Sequence, residues 1–196
     1  MSASSGATKE SLRRHFRALR QSLLEAVEAA IVAQARRHIP ALLPAGRALG
    51  LYWPLPGEVD LRELEILLPG RLALPAILPA RAGGDLGPRL VFRPWRSGDP
   101  LEPDGCRIPA PLAGAGELPA QALGLLLVPA LACDGAGIRL GYGGGWYDRL
   151  RADPSWAQVP ALAVLPRGCR VGQLPRDPWD VPLQGWLDEE GLGKPS

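Results

Sequence analysis

The feature that most narrows the fold of this chain is an unbroken apolar run from Gly124 to Val128, closed by Pro129. Alternating apolar and polar residues would predict a strand with one face in water, whereas a continuous apolar run is typical of a parallel strand covered on both faces. Ala48 to Trp53, which ends at Pro54, and Val159 to Leu165 are further buried strand candidates. Such strands require helices around them, so we predict an α/β fold.

Helical patterns occur between these strands. A long helix is predicted to begin near Lys9 and to end before Pro40, because apolar residues recur there every three or four positions. Asp60 to Leu68 is helical in composition, with Asp60 as N-cap, and a third helix should open at Trp146 to Leu150. The apolar positions of the first helix are Leu12, Phe16, Leu19, Leu23, Val27, Ile31 and Ala35.

The remaining segments complete the predicted organisation. Leu72 to Pro75 and Leu90 to Trp95 are further strand candidates, and the Pro- and Gly-rich stretch from Ser97 to Gln121 is expected to be an ordered surface excursion. Together these elements predict a single-domain, three-layer α/β/α arrangement with a mostly parallel, Rossmann-like central sheet. We expect a flexible N-terminus at residues 1–8, the domain at 9–190 and a flexible tail at 191–196.

Composition excludes several classes of protein. A net charge of +2 gives no reason to expect nucleic-acid or membrane partners, and we expect a monomer. The four arginines between Arg13 and Arg20 form either a solvated helix face or an anion-attracting one. Three cysteines without a Cys-x-x-Cys pair indicate free thiols in a reducing compartment. With no apolar region of a signal peptide near Met1, we expect a cytoplasmic protein.

The segment from Arg139 to Arg149 carries the strongest chemical signal. Glycine occupies four of the five positions 141–145, which allows the backbone amides to form a concave anion-binding nest. Arg139 and Arg149 bracket this loop with guanidinium groups suited to phosphate oxygens, and Asp148 suits magnesium. The loop is neither a P-loop nor a dinucleotide fingerprint, because Trp146 stands where those motifs need other residues. A glycine-rich turn packed under aromatic side chains is the alternative.

The order of residues in Arg-Leu-Gly-Tyr-Gly-Gly-Gly-Trp-Tyr-Asp-Arg, 139 to 149, resembles the signature of the 5-formyltetrahydrofolate cyclo-ligase (methenyltetrahydrofolate synthetase) family. Three weaker matches follow the same order along the chain: Lys9-x-x-Leu12-Arg13, then Tyr52 with Glu58-Val59-Asp60, then Leu174-Pro175 with Asp180-Val181-Pro182. The resemblance extends from about Lys9 to about Leu183. One specific motif and three ordered weak ones make it strong.

The resemblance implies roles for individual residues, with Arg139 and Asp148 as catalytic groups. Asp148 and Asp180 would hold Mg²⁺, although a salt bridge is an equal alternative for Asp180. Without the resemblance, Glu58 would be interpreted as an ordinary loop carboxylate. The implied ATP contacts are Lys9, Arg13, Arg139, Leu140, Gly141, Tyr142, Gly143, Gly144, Gly145, Trp146 and Tyr147. The implied substrate contacts are Tyr52, Leu55, Glu58, Tyr142, Trp146 and Tyr147.

Some positions depart from the family's usual pattern. Cys106 stands where an aromatic residue commonly packs against the pterin, and Trp179 replaces a histidine before Asp180. The ring that stacks on the pterin therefore stays open among Trp53, Trp95 and Trp146. Gln184 replaces a later acidic residue. These changes affect the folate contacts and leave the phosphate chemistry intact.

The activity that the resemblance implies is conversion of 5-formyltetrahydrofolate to 5,10-methenyltetrahydrofolate. ATP would be consumed as co-substrate, and Mg²⁺ would be bound as cofactor. Phosphorylation of the formyl oxygen would create a leaving group, and N10 would then close the ring with release of ADP and phosphate. Another nucleotide-dependent transferase or kinase is the second hypothesis. The third is a non-catalytic module that binds nucleotides or RNA through its arginines and tryptophans.

Overall fold

The long N-terminal helix forms because its apolar positions line one side of a 3.6-residue repeat and its first turn is capped. The computed structural model describes residues 8–80 and 87–195, and the helix α1 is Lys9–Leu42. The hydroxyl of Thr8 accepts a hydrogen bond from the Ser11 amide at 3.2 Å, as an N-cap should. The predicted flexible segment at residues 1–8 otherwise lies outside the described residues.

The predicted end of α1 before Pro40 was wrong. The helix continues to Leu42, and the Leu43 amide donates to the Ile39 carbonyl at 3.1 Å. Proline lacks an N–H group and therefore removes a helical hydrogen bond, a loss that matters little in the last turn of a long helix.

A seven-stranded sheet forms the centre of the molecule. Its strands, in chain order, are β1 (Ala48–Gly50), β2 (Leu72–Leu78), β3 (Arg89–Trp95), β6 (Leu123–Pro129), β9 (Ala161–Val164), β11 (Gly185–Asp188) and β12 (Gly191–Gly193). Their spatial order is β12-β11-β9-β6-β1-β2-β3. All pairings from β11 through β2 are parallel, and only the two edge strands β3 and β12 pair antiparallel. The predicted mostly parallel α/β sheet in one domain is confirmed.

The smaller elements surround this sheet. The hairpin of β4 (Leu101–Pro103) with β5 (Pro109–Pro111) lies in the predicted surface excursion. A three-stranded sheet joins β7 (Ala132–Asp134), β8 (Arg139–Leu140) and β10 (Arg170–Val171). Two short helices follow β8, namely α2 (Trp146–Arg151) and α3 (Pro154–Ala157). The helix predicted to open at Trp146 is confirmed, although α2 has only six residues.

Both faces of β6 are buried, as its apolar run predicts. Leu125 and Leu127 belong to the core cluster that contains Ile31 of the second half of α1. Leu126 and Val128 belong to the opposite cluster, against which α2 and α3 pack. Leu12 and Phe16, in the first turns of α1, also lie in that second cluster. The long helix therefore contributes to both layers, and its first turns lie on the side where α2 begins.

Three local predictions require correction. The strand predicted at Ala48 to Trp53 ends at Gly50, because the prolines that follow lead the chain out of the sheet. The strand predicted at Leu72 to Pro75 is longer, since β2 continues to Leu78. Asp60 to Leu68 contains a 3-10 helix, Arg62–Ile66, since Pro69 follows too closely for a full α-helix. The carboxylate of Asp60 accepts a hydrogen bond from the Arg62 amide at 3.0 Å.

The tail predicted to be flexible from Gly191 is instead the edge strand β12 through Gly193. A tight turn brings it back onto β11, and the Asp188 carboxylate accepts a hydrogen bond from the Glu190 amide at 2.9 Å within that turn. The free edge of β11 then supplies the backbone partners, so these residues pair in the sheet.

Candidate active site

A cavity of about 810 Å³ opens where the loops after β1 and β6 meet. These two strands are neighbours in the sheet, yet the chain leaves β1 for β2 on one side and β6 for β9 on the other. This divergence is a topological switch point, and ligands of open α/β sheets bind in the crevice at the carboxyl ends of such strands. All the site residues predicted from the sequence line this cavity. Their individual roles stay predictions.

The hairpin of β7 and β8 presents the glycine-rich loop to the cavity. Asp134, which is 3% exposed, shapes the turn by accepting hydrogen bonds from the amides of Ala136 and Ile138 at 3.0 and 2.9 Å. Beyond Leu140 the chain enters the loop, where Gly143 and Gly145 have φ of 106° and 62°. Both values lie in the region that favours glycine. Two of the four glycines thus have the backbone conformation that the nest prediction required.

Arginine side chains attach the glycine loop, here residues 141–145, to its surroundings. The guanidinium of Arg13, from α1, donates to the Gly141 carbonyl at 3.0 Å. Arg149 donates to the Gly144 carbonyl at 2.8 Å, and its guanidinium carbon lies 4.5 Å from the centre of the Trp146 ring. Both arginines hold loop carbonyls and line the cavity. The loop therefore lies in a strongly cationic environment, which favours an anionic ligand.

Lys9 joins the start of α1 to the C-terminal part of the chain. Its ammonium group donates hydrogen bonds of 2.6 Å to a carboxylate oxygen of both Asp177 and Asp180. Partial burial alone would lower the pKa of Lys9, but these two carboxylates raise it above its ordinary value. Lys9 is therefore protonated at neutral pH. The salt-bridge alternative for Asp180 is present in the structure.

Asp148 lies on the first turn of α2 and pairs with Arg139. A guanidinium nitrogen of Arg139 is 3.3 Å from the Asp148 carboxylate, and the two side chains are 8% and 22% exposed. Among residues 8–80 and 87–195, no three His, Cys, Asp or Glu side chains are grouped to hold a metal ion. Asp148, Asp177 and Asp180 nevertheless share the cavity wall. This donor set fits magnesium, which commonly uses one or two carboxylates together with substrate phosphates.

The loop after β1 brings a buried carboxylate to the cavity. Glu58 is 6% exposed and accepts a hydrogen bond from the Leu55 amide at 2.9 Å. Burial raises the pKa of Glu58, while the Leu55 amide, Arg20, Tyr142 and Arg139 act to lower it. The hydroxyl of Tyr52 donates to the Val59 carbonyl at 2.9 Å, so Tyr52 supports the loop that carries Glu58.

Aromatic rings also line the cavity. Trp53 and Trp146 lie on its wall, whereas Trp95 does not, and packs edge-on against Trp53 at 6.4 Å between ring centres. The third ring left open by the sequence therefore lies behind the wall. Trp179, at 68% exposure, is a further indole on the wall. Burial raises the pKa of Tyr142 to about 12, and it also raises the pKa of Tyr147, so both hydroxyls stay neutral.

Sequence reasoning missed two residues that hold the site together. Asp177 shares Lys9 with Asp180, and a carboxylate three positions before Asp180 in the same segment was the available signal. Arg20 was expected on a solvated or anion-attracting face of α1, but it is buried, only 2% exposed, beside Glu58. An arginine four residues after Phe16, on the apolar side of the helix, was the signal for an internal partner.

The fold and cavity define an α/β protein with a ligand site at the switch point of a parallel sheet and a cationic glycine loop on one wall of that site. The chain belongs to the 5-formyltetrahydrofolate cyclo-ligase family, whose sequence profile matches residues 5–187. The family expected from the glycine loop and the three ordered motifs is confirmed. The likeness covers the helix α1, the glycine loop and the segment of Asp180.

Individual relatives agree with this assignment. A 5-formyltetrahydrofolate cyclo-ligase of Mycolicibacterium smegmatis is 33% identical, with 90% of this chain and 91% of the relative covered. The solved 5,10-methenyltetrahydrofolate synthetase of Aquifex aeolicus superposes with a TM-score of 0.69 at 25% identity, covering 95% of this chain and 92% of its own. The synthetase of Mycoplasma pneumoniae, at 20% identity, shares the fold with a TM-score of 0.66, covering 94% and 100% of the two chains.

Two further findings concern the cysteines and the helices. Cys106 is exposed, Cys133 and Cys169 are buried, and all three are free thiols, as predicted. Within residues 8–80 and 87–195, no helix has both the length and the apolarity needed to cross a bilayer.

Proposed function

We propose that this protein converts 5-formyltetrahydrofolate to 5,10-methenyltetrahydrofolate in this cavity, with ATP and Mg²⁺ required and ADP and phosphate released. The observation that carries the proposal is the convergence of four motifs, distant in sequence, on one cavity. Lys9, Tyr52, Glu58, Asp148 and Asp180 come from different parts of the chain and all line the same cavity. This arrangement supports a reaction between two substrates that bind side by side.

The cationic wall suits the nucleotide. Arg13, Arg139 and Arg149 surround the glycine loop, and Lys9 lies on the same wall. These side chains would offset the charge of a triphosphate, while the left-handed backbone at Gly143 and Gly145 would allow amides to point at its oxygens. Asp148, together with Asp180 through the oxygen not held by Lys9, would hold Mg²⁺, which when bound would neutralise phosphate charge.

The other wall suits the folate. The buried Glu58 carboxylate would accept hydrogen bonds from the amide-type N–H groups of the pterin ring, and the rings of Trp53 or Trp146 would pack against its face. Buried carboxylates favour partners that donate hydrogen bonds, since the charge is otherwise costly. The side chains would thereby hold the formyl group toward the glycine loop.

The reaction needs activation because the formyl oxygen is a poor leaving group. Transfer of the terminal phosphoryl group of ATP to the formyl oxygen makes that oxygen part of a phosphate, which is a good leaving group. The N10 nitrogen then forms a bond to the formyl carbon, the carbon–oxygen bond breaks with departure of phosphate, and the N10 proton passes to solvent. The protein contributes mainly positioning and charge neutralisation, because phosphoryl transfer demands little covalent chemistry from it.

One assay tests the proposal. Purified protein is mixed with 5-formyltetrahydrofolate, ATP and MgCl₂, and formation of the methenyl product is followed by its absorbance. We expect product only when all three are present, and none after chelation of magnesium. ATP hydrolysis stimulated by other acceptors but not by this folate would favour a different transferase. Salt-sensitive RNA binding without turnover would favour a non-catalytic module.

A further inference from the structure

A buried arginine, Arg20, lies behind the cavity of the proposed site. Arg20 is 2% exposed and is absent from the cavity wall, unlike Arg13 on the same helix. A charged side chain buried in this way is costly unless its partners compensate it. Its surroundings therefore indicate why the residue is present.

The partners of Arg20 belong to the two walls of the cavity. One guanidinium nitrogen donates to the Ala130 carbonyl at 3.3 Å and lies 3.8 Å from a carboxylate oxygen of Glu58. The other terminal nitrogen donates to the hydroxyl of Tyr142, and the guanidinium carbon is 5.3 Å from the centre of that ring. Glu58 follows β1, while Tyr142 is part of the glycine loop. Arg20 thus contacts both substrate-facing segments from behind.

We infer that Arg20 is a positioning residue that holds the Glu58 carboxylate and the Tyr142 hydroxyl in place, and so ties the folate wall to the glycine loop. The inference rests on the proposed function, since it assigns Arg20 to the folate affinity of that site. Arg20 acts only through its neighbours, because it does not reach the cavity. A planar guanidinium can donate in two directions at once, which a lysine ammonium at this place would do less well.

Charge adds a second effect of Arg20 on Glu58. The groups that act on this carboxylate are Arg20 from α1, Tyr142 from the glycine loop, Arg139 from β8 and the Leu55 amide. The negative charge of Glu58 in turn helps to raise the pKa of the Tyr52 and Tyr147 hydroxyls, which stay neutral. Burial raises the pKa of Glu58 and the positive charge of Arg20 lowers it. Loss of Arg20 should therefore raise that pKa further, so that Glu58 becomes protonated at a higher pH.

The experiment compares Arg20→Met and Arg20→Lys with Arg37→Gln, an exposed arginine on the same helix that does not line the cavity. In metal sites, loss of a side chain that orients a ligand costs about 10–100-fold. We expect a similar rise in the KM and Kd for 5-formyltetrahydrofolate in Arg20→Met, with a smaller change in the KM for ATP. The acid limb of kcat/KM should move to higher pH. Arg20→Lys should recover part of the affinity, and Arg37→Gln should match wild type.

A double-mutant cycle separates positioning from general destabilisation. If Arg20 works through Glu58, then Arg20→Met should weaken folate binding little further in a Glu58→Gln background. Independent effects of the two substitutions, or wild-type folate affinity in folded Arg20→Met, would overturn the inference. If Arg20→Met fails to fold, Arg20→Lys and Tyr142→Phe decide it, because unchanged folate affinity in both contradicts the role. A wild-type protein without methenyl formation would instead overturn the proposed function itself.

Discussion

Replacement of Asp148 by asparagine separates the chemistry of the site from the stability of the fold. Asparagine keeps the size of the side chain and an oxygen that can accept the hydrogen bond of Arg139, now at 3.3 Å. Because the Arg139–Asp148 pair is largely buried, at 8% and 22% exposure, and asparagine keeps the hydrogen bond, the loss of stability should be about 1–3 kcal/mol. Each 1 kcal/mol of that loss corresponds to roughly 2–4 °C in Tm for a chain of this size. The variant should therefore fold.

The effect on catalysis should be much larger. Removal of one electrostatic contact to the reacting groups typically costs about 10²–10³ in rate. We expect Asp148→Asn to lower turnover at least about a hundredfold and to need more magnesium for half-maximal rate. Methenyl formation is followed by absorbance across a magnesium titration, and circular dichroism reports folding.

Asp153→Asn is the matched control for this experiment. Asp153 caps α3 by accepting a hydrogen bond from the Ser155 amide at 2.8 Å, and asparagine caps helices about equally well. Turnover of this control should equal that of wild type. A folded Asp148→Asn variant with near-normal rate and unchanged magnesium requirement would refute the assignment of Asp148.

Three further predictions concern the loop, the core and the buried thiols. Gly143→Ala places a side chain at a φ of 106°, which costs about 1–3 kcal/mol of strain in the loop conformation proposed to bind ATP. Equilibrium titrations should therefore show ATP binding weakened about 5- to 150-fold. The control Gly98→Ala, at φ 90° in a distant turn, should leave ATP affinity unchanged. Phe92→Ala, in a fully buried position, should lower the free energy of unfolding in urea by about 3–5 kcal/mol, and a loss below about 1 kcal/mol would contradict the packing described. Burial raises the pKa of the Cys133 thiol to about 12 and that of Cys169 to about 11. As pH rises, the unfolded chain therefore loses these protons before the folded protein does, and the free energy of unfolding should fall above about pH 9. Equal unfolding free energies at about pH 8 and about pH 10.5 would contradict this prediction.

The sequence was most informative where a local pattern has one physical solution. The short apolar run at Gly124 to Val128, closed by Pro129, predicted a strand buried on both faces, and the structure covers Leu125 and Leu126 on opposite sides of the sheet. The four glycines at 141–145 likewise predicted unusual backbone geometry, found at Gly143 and Gly145. The family motifs identified further residues, and every predicted site residue lines the same cavity.

Other features depended on contacts between distant segments, which no local pattern records. The edge strand at Gly191 exists because β11 offers it a free edge. The Asp177 carboxylate acquires its role from Lys9, 168 positions away. Arg20 is charged on an otherwise apolar helix face, and only the approach of Glu58 and Tyr142 explains it. Sequence patterns predict elements well, while these pairings are set by the assembled fold.

The contact of Lys9 with Asp177 and Asp180 also bears on how the protein is made. A chain still being translated contains α1 and the glycine loop long before it contains these two carboxylates, which lie 168 and 171 positions after Lys9. Contacts of such large sequence separation form late in folding, because they close long loops. The nascent polypeptide therefore cannot complete this cavity until Asp177 and Asp180 have emerged from the ribosome, and a product stopped after Arg176 would lack the partners that hold Lys9.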